Sequence, residues 1–481
     1  MKKIYQYIAC SILVITLHAC KKELGALPKN SKVDANTILD QSTAQIALNG
    51  AYYNFANATA MKTGWQQHQV LPTRMTGYLI YGYGLGSEDE NNNARMTSYY
   101  WSESYKLLNA ANGVLKGISL LDDGKFSGNR KKEIVAESKF LRAYAHFKLL
   151  TYYAEWYKME SAFGVLLRDE LSTLSNISKA RSTVKDSYDF ILADLDDVIA
   201  NGPVGNPNHY VTKWAGMALK LRVLMCRGGS SDYSEIINLA TNLIQNSPYL
   251  LEANAADIFH KNGLASKEVI LGVVPQANQE KDYYSKSSQY WPGASSLYVA
   301  TAELNTLLTG DPRQSWMIGT ANPSTSAPNT FFFTKHMIQN TTPTRVSEAD
   351  YALRLTEVYL LQAEAVVRSG GSLATARSLV HLIQSKAGIT EIQNNAAYLA
   401  VEDAATADAL LFEIHKENVK SLMAEDGMEW LSLLRQPFSR VQQLKPTIDN
   451  QTQFILPVPS SEFIYNPLFG EQNPGYNKTA N

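Results

Sequence analysis

The chain has 481 residues, a formal net charge of −1 and 45% hydrophobic residues. This composition is typical of a globular protein with a large buried core, and it excludes a disordered or collagen-like chain. The near-zero charge argues against a nucleic-acid-binding protein, because such proteins usually carry a basic stripe or patch. At roughly 150 residues per domain, the length fits about three units or one large interlocked domain.

The first twenty residues predict export and a lipid anchor. A positively charged start precedes an apolar run at residues 8–17. That run is too short for a bilayer, which needs roughly 20 residues, but it has the length of a signal-peptide core. The Leu-His-Ala-Cys segment at residues 17–20 resembles a bacterial lipobox. We therefore expect a signal peptide at residues 1–19, lipid on Cys20 and a polar tether at residues 20–36. The alternative is a plain secretory signal with a chance cysteine.

Hydrophobic periodicity predicts a mostly helical protein. The strongest pattern covers residues 131–153, where Phe140, Tyr144 and Phe147 recur at steps of four and three. We expect these rings to face a buried helical core. A helix starting at Asp40 is indicated by the periodic positions Ile46, Ala47, Gly50 and Tyr53. Further helices are predicted over residues 99–120, 184–200, 214–226, 233–245, 351–369, 372–387 and 409–435.

The middle of the chain has a different character. Residues 251–340 are irregular and aromatic, with short strands predicted at 269–274 and 330–338. The helix pairs on either side, joined by short turns, suggest a tetratricopeptide-like helical-repeat scaffold. We expect a mostly α fold decorated with long irregular loops and a few short strands. The expected organisation is an N-terminal helical region at residues 37–250 and a C-terminal region at residues 251–481, interlocked as one globule.

Six segments resemble motifs of one protein family, in the family's own order along the chain. They lie at residues 140–147, 211–224, 310–313 (Gly-Asp-Pro-Arg), 353–365, 417–435 and 456–476. Each match is weak alone, but together with the lipobox they are specific. The sequence is similar to the SusD/RagB family of Bacteroidota outer-membrane lipoproteins.

This resemblance implies a function. Such proteins sit on the outer face of the outer membrane, cap a SusC-like TonB-dependent barrel and deliver glycans, or in some cases peptides, to it. They are binders and not enzymes. The charged motif residues Arg142, Arg354, Glu357 and Glu364 are expected to hold the fold through ion pairs and helix caps.

A glycan site needs flat aromatic rings and a few hydrogen-bonding side chains, because sugars present both apolar faces and hydroxyl groups. Two aromatic, loop-like regions offer such groups, one at residues 65–93 and one at residues 283–291. For any one ring, a role in the core is as plausible as a ligand contact. The candidate ligand-binding residues are Trp65, Tyr81, Tyr283, Tyr290 and Trp291. If these fail, the platform is expected around Tyr298, Trp316 or the run Phe331–Phe333.

Sequence patterns for other chemistry are weak. The chain has no phosphate-binding GxxxxGK[ST], no HExxH and no GxSxG motif. The loop starting at Asp89 imitates a calcium loop, but Ala94 and Tyr100 stand where glycine and glutamate are needed. His415 lies between Glu413 and Glu417 on a predicted helix, which is weak evidence for a metal. We therefore expect no catalytic residue, metal or cofactor, and no nucleic-acid partner.

Two other functions stay open. Because carboxylates abound, a lipid-anchored glycoside hydrolase is compatible with the sequence, although nothing singles out a catalytic pair. The third hypothesis is a helical-repeat adaptor that binds only protein.

Overall fold

The structure is a computed structural model. It describes residues 37–59, 62–82, 97–276, 279, 289–290, 296–325, 329–338, 341–393 and 395–479. The predictions for Cys20, Tyr283, Trp291 and the segment 1–36 lie outside these residues. Among the helices of the described ranges, none combines the length and apolar character needed to cross a bilayer.

The protein is mostly helical, as predicted. The helices of the first half are α1 (Gln41–Phe55), α2 (Gln66–Met75), α3 (Thr97–Ser119), α4 (Arg130–Tyr153), α5 (Val184–Asn201), α6 (Lys213–Arg227) and α7 (Ser230–Asn246). Those of the second half are α8 (Ala302–Leu307), α9 (Gln314–Met317), α10 (Arg345–Glu348), α11 (Leu355–Arg368), α12 (Leu373–Lys386), α13 (Ala396–Glu402), α14 (Ala407–Leu422), α15 (Met428–Leu434), α16 (Phe438–Leu444) and α17 (Ser460–Tyr465).

Consecutive helices pack on one another, which gives the repeat scaffold. In the first half α3 packs on α4, α4 on α5, α5 on α6 and α6 on α7, and α11 continues the stack by contacting α7, α12 and α14. Helix α4 is buried on nearly all sides, and Phe140, Tyr144 and Phe147 lie in the core. The prediction for these three rings is confirmed.

Two short antiparallel sheets accompany the helices. The first contains β1 (Leu79–Tyr81), β3 (Tyr298–Ala300), β4 (Ile318–Ala321) and β5 (Phe331–Phe333) in the order β1-β3-β5-β4. The second pairs β2 (Val269–Val273) with β6 (Asp350–Arg354). Strand β2 agrees with its prediction, whereas the strand predicted at 330–338 is limited to β5.

Three local details of the structure differ from the sequence pattern. In α1, Ile46 and Tyr53 are 64% and 44% exposed, and the neighbouring stripe of Ala44, Leu48 and Phe55 is buried against α3 and α4. The first residues of the helix predicted at 351–369 form strand β6, because pairing with β2 outweighs their helical pattern.

The third difference concerns the helical region predicted at 409–435. It is interrupted between α14 and α15, where Ala424 and Gly427 have φ of 56° and 89°. This left-handed region is compatible with a turn and not with a right-handed helix.

The charged motif residues hold the core together, as expected. Buried ion pairs join Arg142 to Asp194, Arg222 to Glu357, Arg354 to Glu425 and Arg435 to Glu364. Each bond links different elements of the scaffold, so the motif residues form its internal framework.

The centre of this framework is Asp426, at the break between α14 and α15. Its carboxylate lies 2.7 Å from Lys148 Nζ and 2.5 Å from Arg222 Nη1, and Tyr144 donates a hydrogen bond to it at 2.8 Å. Burial alone would raise the pKa of Asp426, but the charges of Lys148 and Arg222 hold that pKa far below its usual range. Asp426 therefore stays ionised and joins the two halves of the chain.

Candidate functional site

The described end of the first aromatic region lies beside strand β3, which follows the second region along the chain. Strand β1 pairs antiparallel with β3, so that Tyr81 lies opposite Tyr298. Just beyond, the backbone N–H of Gly82 donates to the carbonyl of Leu297 at 3.0 Å. A Cβ at position 82 would lie only 2.1 Å from the Ser296 carbonyl oxygen, so only glycine permits this approach. The fold thus brings the first region beside β3, and Gln289 of the second region accepts a hydrogen bond from the Leu297 N–H at 3.1 Å.

A cleft of about 800 Å³ opens beside this edge. Its walls are residues 74–81, residues 301–307 and residues 443–447. The volume is within the range of small-molecule and oligosaccharide pockets, roughly 300–1,000 Å³. The side chains that line it include Arg74, Thr76, Tyr78, Tyr81, Glu303, Thr306, Gln443 and Lys445.

Tyr81 is held in place within the cleft wall. The guanidinium carbon of Arg74 lies 3.8 Å from the centre of its ring, and the Tyr298 ring lies 5.2 Å away at an interplanar angle of 29°. A cation–π contact and an aromatic stack together fix the orientation of the ring. Tyr81 is half-buried and reaches the cleft, so the structure places this predicted residue where a ligand could touch it.

The remaining polar groups of the cleft are mixed in character. Burial raises the pKa of Tyr78 to about 12, helped by the charges of Glu429 and Glu303, so its hydroxyl keeps its proton and can donate. Lys445 comes close to the backbone of Gly77, while Gln443 and Glu303 are exposed to solvent. Such neighbouring donors and acceptors suit a ligand rich in hydroxyl groups.

Two other predicted residues lie in the core. Trp65 is 0% exposed and stacks on His68, with 4.1 Å between ring centres. Tyr290 is also fully buried, and its hydroxyl donates to Gln69 Oε1 at 3.1 Å. Neither ring offers a face to a ligand in this structure, because both are packed on all sides by other core residues. Both rings support the elements behind the cleft.

The fallback positions give no second platform within the described residues. Tyr298, Phe332 and Phe333 are buried in the sheet core, and Phe331 is half-buried against that core. Trp316 is half-buried outside the cleft, against Phe259.

Several residues that line the cleft were not among the binding residues predicted from the sequence. Gln443 lies in the last turn of α16 and Lys445 directly follows that helix, far along the chain from β1, and no sequence pattern links the two segments. Glu303 lies on the short helix α8. Only Arg74 and Tyr78 carried a signal, because they lie in the aromatic region already nominated.

Within the described residues, the cleft resembles neither the side-chain arrangement that glycosidases use nor that of metal-dependent enzymes. Among the described lining residues, Glu303 is the one carboxylate, whereas glycosidases usually use a pair. His415 is buried, its Nδ1 lies 2.9 Å from Ser432 Oγ, and burial lowers its pKa to about 3. It is a core histidine. Over the ranges that the structure describes, no three His, Cys, Asp or Glu side chains are grouped to hold a metal ion.

Two family models match successive parts of the chain. A SusD-like model described as "Starch-binding associating with outer membrane" matches residues 21–225, and the SusD family model matches residues 274–438. A SusD-like protein of Bacteroides ovatus is 23% identical over 57% of this chain, and the match spans 50% of that relative. SusD-like protein P2 of Formosa agariphila is 22% identical over 97% of this chain and 98% of its own length.

Solved structures share the fold. A SusD superfamily protein from Bacteroides thetaiotaomicron superposes with a TM-score of 0.72 at 20% identity, covering 91% of this chain and 100% of that one. A laminarin-binding SusD-like protein gives a TM-score of 0.71 at 20% identity, with the same coverage. The two family matches, the curated relatives and the motifs now located in the helical core agree, and the chain belongs to the SusD/RagB family.

Proposed function

We propose that this protein binds glycans in the cleft beside β1 and delivers them to a SusC-like TonB-dependent transporter in the outer membrane. The observation that carries the proposal is the cleft itself. It combines the half-buried ring of Tyr81, the protonated hydroxyl of Tyr78 and exposed hydrogen-bonding groups at Glu303 and Gln443. Apolar ring surface beside polar groups suits the alternating faces and hydroxyls of a sugar.

Two of the similarities to known proteins support a glycan as the ligand. One matching family model is described as starch-binding, and one structural relative binds laminarin. Both ligands are glucans, so neutral glucans are the first glycans to try. The test is calorimetric titration of the soluble protein with laminarin and starch, together with a glycan array. We expect saturable binding to at least one glycan without release of new sugar ends. Cleaved ends would instead support a glycoside hydrolase, and an array without any bound glycan would support a protein-binding adaptor.

We propose that Cys20 carries the lipid anchor and that the protein faces the cell exterior. Replacing Cys20 with alanine should release the protein from the membrane fraction or leave it unprocessed. Cys10→Ala is the matched control, since that residue lies inside the expected signal peptide. Membrane retention of the Cys20 variant at the wild-type level would contradict the anchor. Protease treatment of whole cells tests the outward orientation, and co-purification of a TonB-dependent barrel from solubilised membranes tests the partner.

A further inference from the structure

A second, smaller cavity lies next to the cleft. Its volume is about 260 Å³, and Thr306 and Leu307 line both cavities, so the end of α8 separates them. Thr306 is exposed, so the border that the two cavities share is accessible to solvent. We propose that this cavity, called the distal cavity below, is a separate subsite for the far end of an extended neutral glycan. The inference rests on the proposed glycan binding in the cleft.

The lining of the distal cavity is polar and electrically balanced. Lys416 Nζ lies 2.7 Å from Glu413 Oε2, and Lys420 Nζ lies 3.2 Å from Asp311 Oδ2. Because each cation has an acidic partner, the cavity has no surplus charge to attract an ionic ligand. Its ammonium and carboxylate groups keep further hydrogen-bonding capacity, which matches sugar hydroxyls. The polar lining side chains are Thr306, Thr309, Gln384, Asn395, Glu413, Lys416, Glu417 and Lys420.

The floor of the distal cavity is held rigidly by the Gly-Asp-Pro-Arg motif at residues 310–313. The buried guanidinium of Arg313 donates to Asp311 Oδ2 at 2.8 Å and to Glu417 Oε2 at 3.1 Å. Burial alone would raise the pKa of Asp311, but hydrogen bonds and charge from Arg313 lower it to about 2. The motif therefore stays ionised and fixes the face of α14 that carries the lining residues.

Two amide side chains of the cavity are also oriented before any ligand arrives. Gln384 Nε2 donates to the Ala397 carbonyl at 3.0 Å, and Asn395 Nδ2 donates to the Gly310 carbonyl at 3.0 Å. Gly310 has a φ of 75°, and a Cβ there would meet nothing within 4 Å. The bend at Gly310 thus leaves open space beside an ordered polar wall. Such preorganisation reduces the entropy lost when a ligand binds.

The proposal predicts that affinity depends on ligand length. Short oligosaccharides fill only the cleft, whereas longer ones also reach the distal cavity. The variant Ala400→Trp fills the cavity from α13 without removing a polar group, since Ala400 lines it and is half-buried. Leu399→Trp is the matched control, because the neighbouring Leu399 is exposed and does not line the cavity.

The experiment titrates wild type and both variants with graded series of laminari- and malto-oligosaccharides. We expect Ala400→Trp to bind the short members normally and the long members about tenfold more weakly, which corresponds to 1.4 kcal/mol. Leu399→Trp should match wild type throughout. If Ala400→Trp does not fold, Lys416→Ala serves instead, with a several-fold loss for long members only.

The outcomes separate the two proposals. Unchanged binding of long members in Ala400→Trp, or affinity independent of length in wild type, overturns the distal subsite but leaves glycan binding intact. If wild type binds no member of either series, glucan binding in the cleft falls and the distal subsite falls with it.

Discussion

Polar groups are buried and paired in the core around Asp426, whereas several are exposed to solvent in the cleft beside β1. In the core, Asp426 is enclosed and satisfied by Lys148 and Arg222. In the cleft, Gln443 and Glu303 are exposed and available to a ligand. A buried network whose charges are all matched resists any change of partner, whereas half-exposed groups can exchange water for ligand at little cost.

This difference explains what the family resemblance can and cannot predict. The motif residues Arg142, Arg354 and Glu357 lie in the buried framework. Gln443 and Lys445, which line the cleft, lie outside every motif segment. Similar motifs therefore indicate the shared scaffold, while the identity of the ligand depends on residues that the motifs do not include.

The largest effect is expected from Asp426→Asn. It leaves the buried Lys148 without its counter-charge and Arg222 with Glu357 alone, and breaking a buried pair costs about 3–5 kcal/mol of unfolding free energy. Urea denaturation is the measurement. The control is Asp189→Asn, which removes an exposed partner of Lys185 and should change stability by less than about 1 kcal/mol. Equal effects of the two variants would contradict the distinction between core and surface.

Trp65→Ala should also destabilise the protein, by about 3–5 kcal/mol, because it empties a fully buried position stacked on His68. Thermal melts measure the loss. Tyr81→Ala provides the comparison, since its half-buried ring reaches the cleft, and it should weaken glycan binding with a smaller loss of stability. If the Trp65 variant melts like wild type but no longer binds glycan, Trp65 contacts the ligand and is not a core residue.

Glu429→Gln should stabilise the protein in alkaline solution. Burial raises the pKa of Glu429 from 4.5 to about 7, despite the hydrogen bond that Thr73 donates to it. The folded state therefore holds a proton that the unfolded state loses, and stability falls as pH rises from about 4.5 through 7. Since glutamine cannot ionise, the variant should be more stable than wild type at pH 8, by an amount on the order of 3 kcal/mol.

The same substitution at Glu425 is the control for this prediction. Glu425 accepts from Arg354 Nε and from Lys335 Nζ, both at 2.7 Å, and Glu425→Gln should destabilise the protein at every pH above the carboxyl pKa. Denaturation curves at pH 5 and pH 8 for both variants decide the matter. A Glu429 variant with no gain at pH 8 would show that this carboxyl ionises without penalty.

The smallest effect is expected in the cleft. Gln443→Ala removes an exposed hydrogen-bonding group, which should weaken glycan binding several-fold, or about 1 kcal/mol, without changing the melting temperature. The adjacent Gln442 does not line the cleft, so Gln442→Ala should bind like wild type. Calorimetry with the best glycan from the array compares them. Identical binding by both variants would place the ligand away from this wall.

Much of the fold could be predicted because long helices repeat their pattern. The segment predicted at 131–153 is α4, and its aromatic face is buried. The errors arose where tertiary contacts decide between local alternatives. Helix α1 has two usable stripes, and packing on α3 and α4 selects the one without Ile46. Strand β6 depends on β2, a partner far away in the sequence.

The candidate site was less predictable than the fold. Aromatic residues in Gly-rich sequence nominated Tyr81 and Trp65 equally, but only the structure distinguishes a ring in a cleft wall from a ring in the core. Gln443 and Lys445 reach the cleft only in the folded protein, and local sequence patterns do not predict which distant segments come into contact.

The position of Asp426, at the break between α14 and α15, affects when the growing chain can fold. The carboxylate that neutralises Lys148 and Arg222 belongs to Asp426, which leaves the ribosome long after α4 and α6 have been synthesised. Until then, a compact N-terminal half would bury Lys148 without its counter-charge, and also Arg222 until its other partner Glu357 is made, which is strongly unfavourable. We therefore expect the nascent chain to stay loosely packed, and thus compatible with passage through an export channel, until nearly its whole length is available.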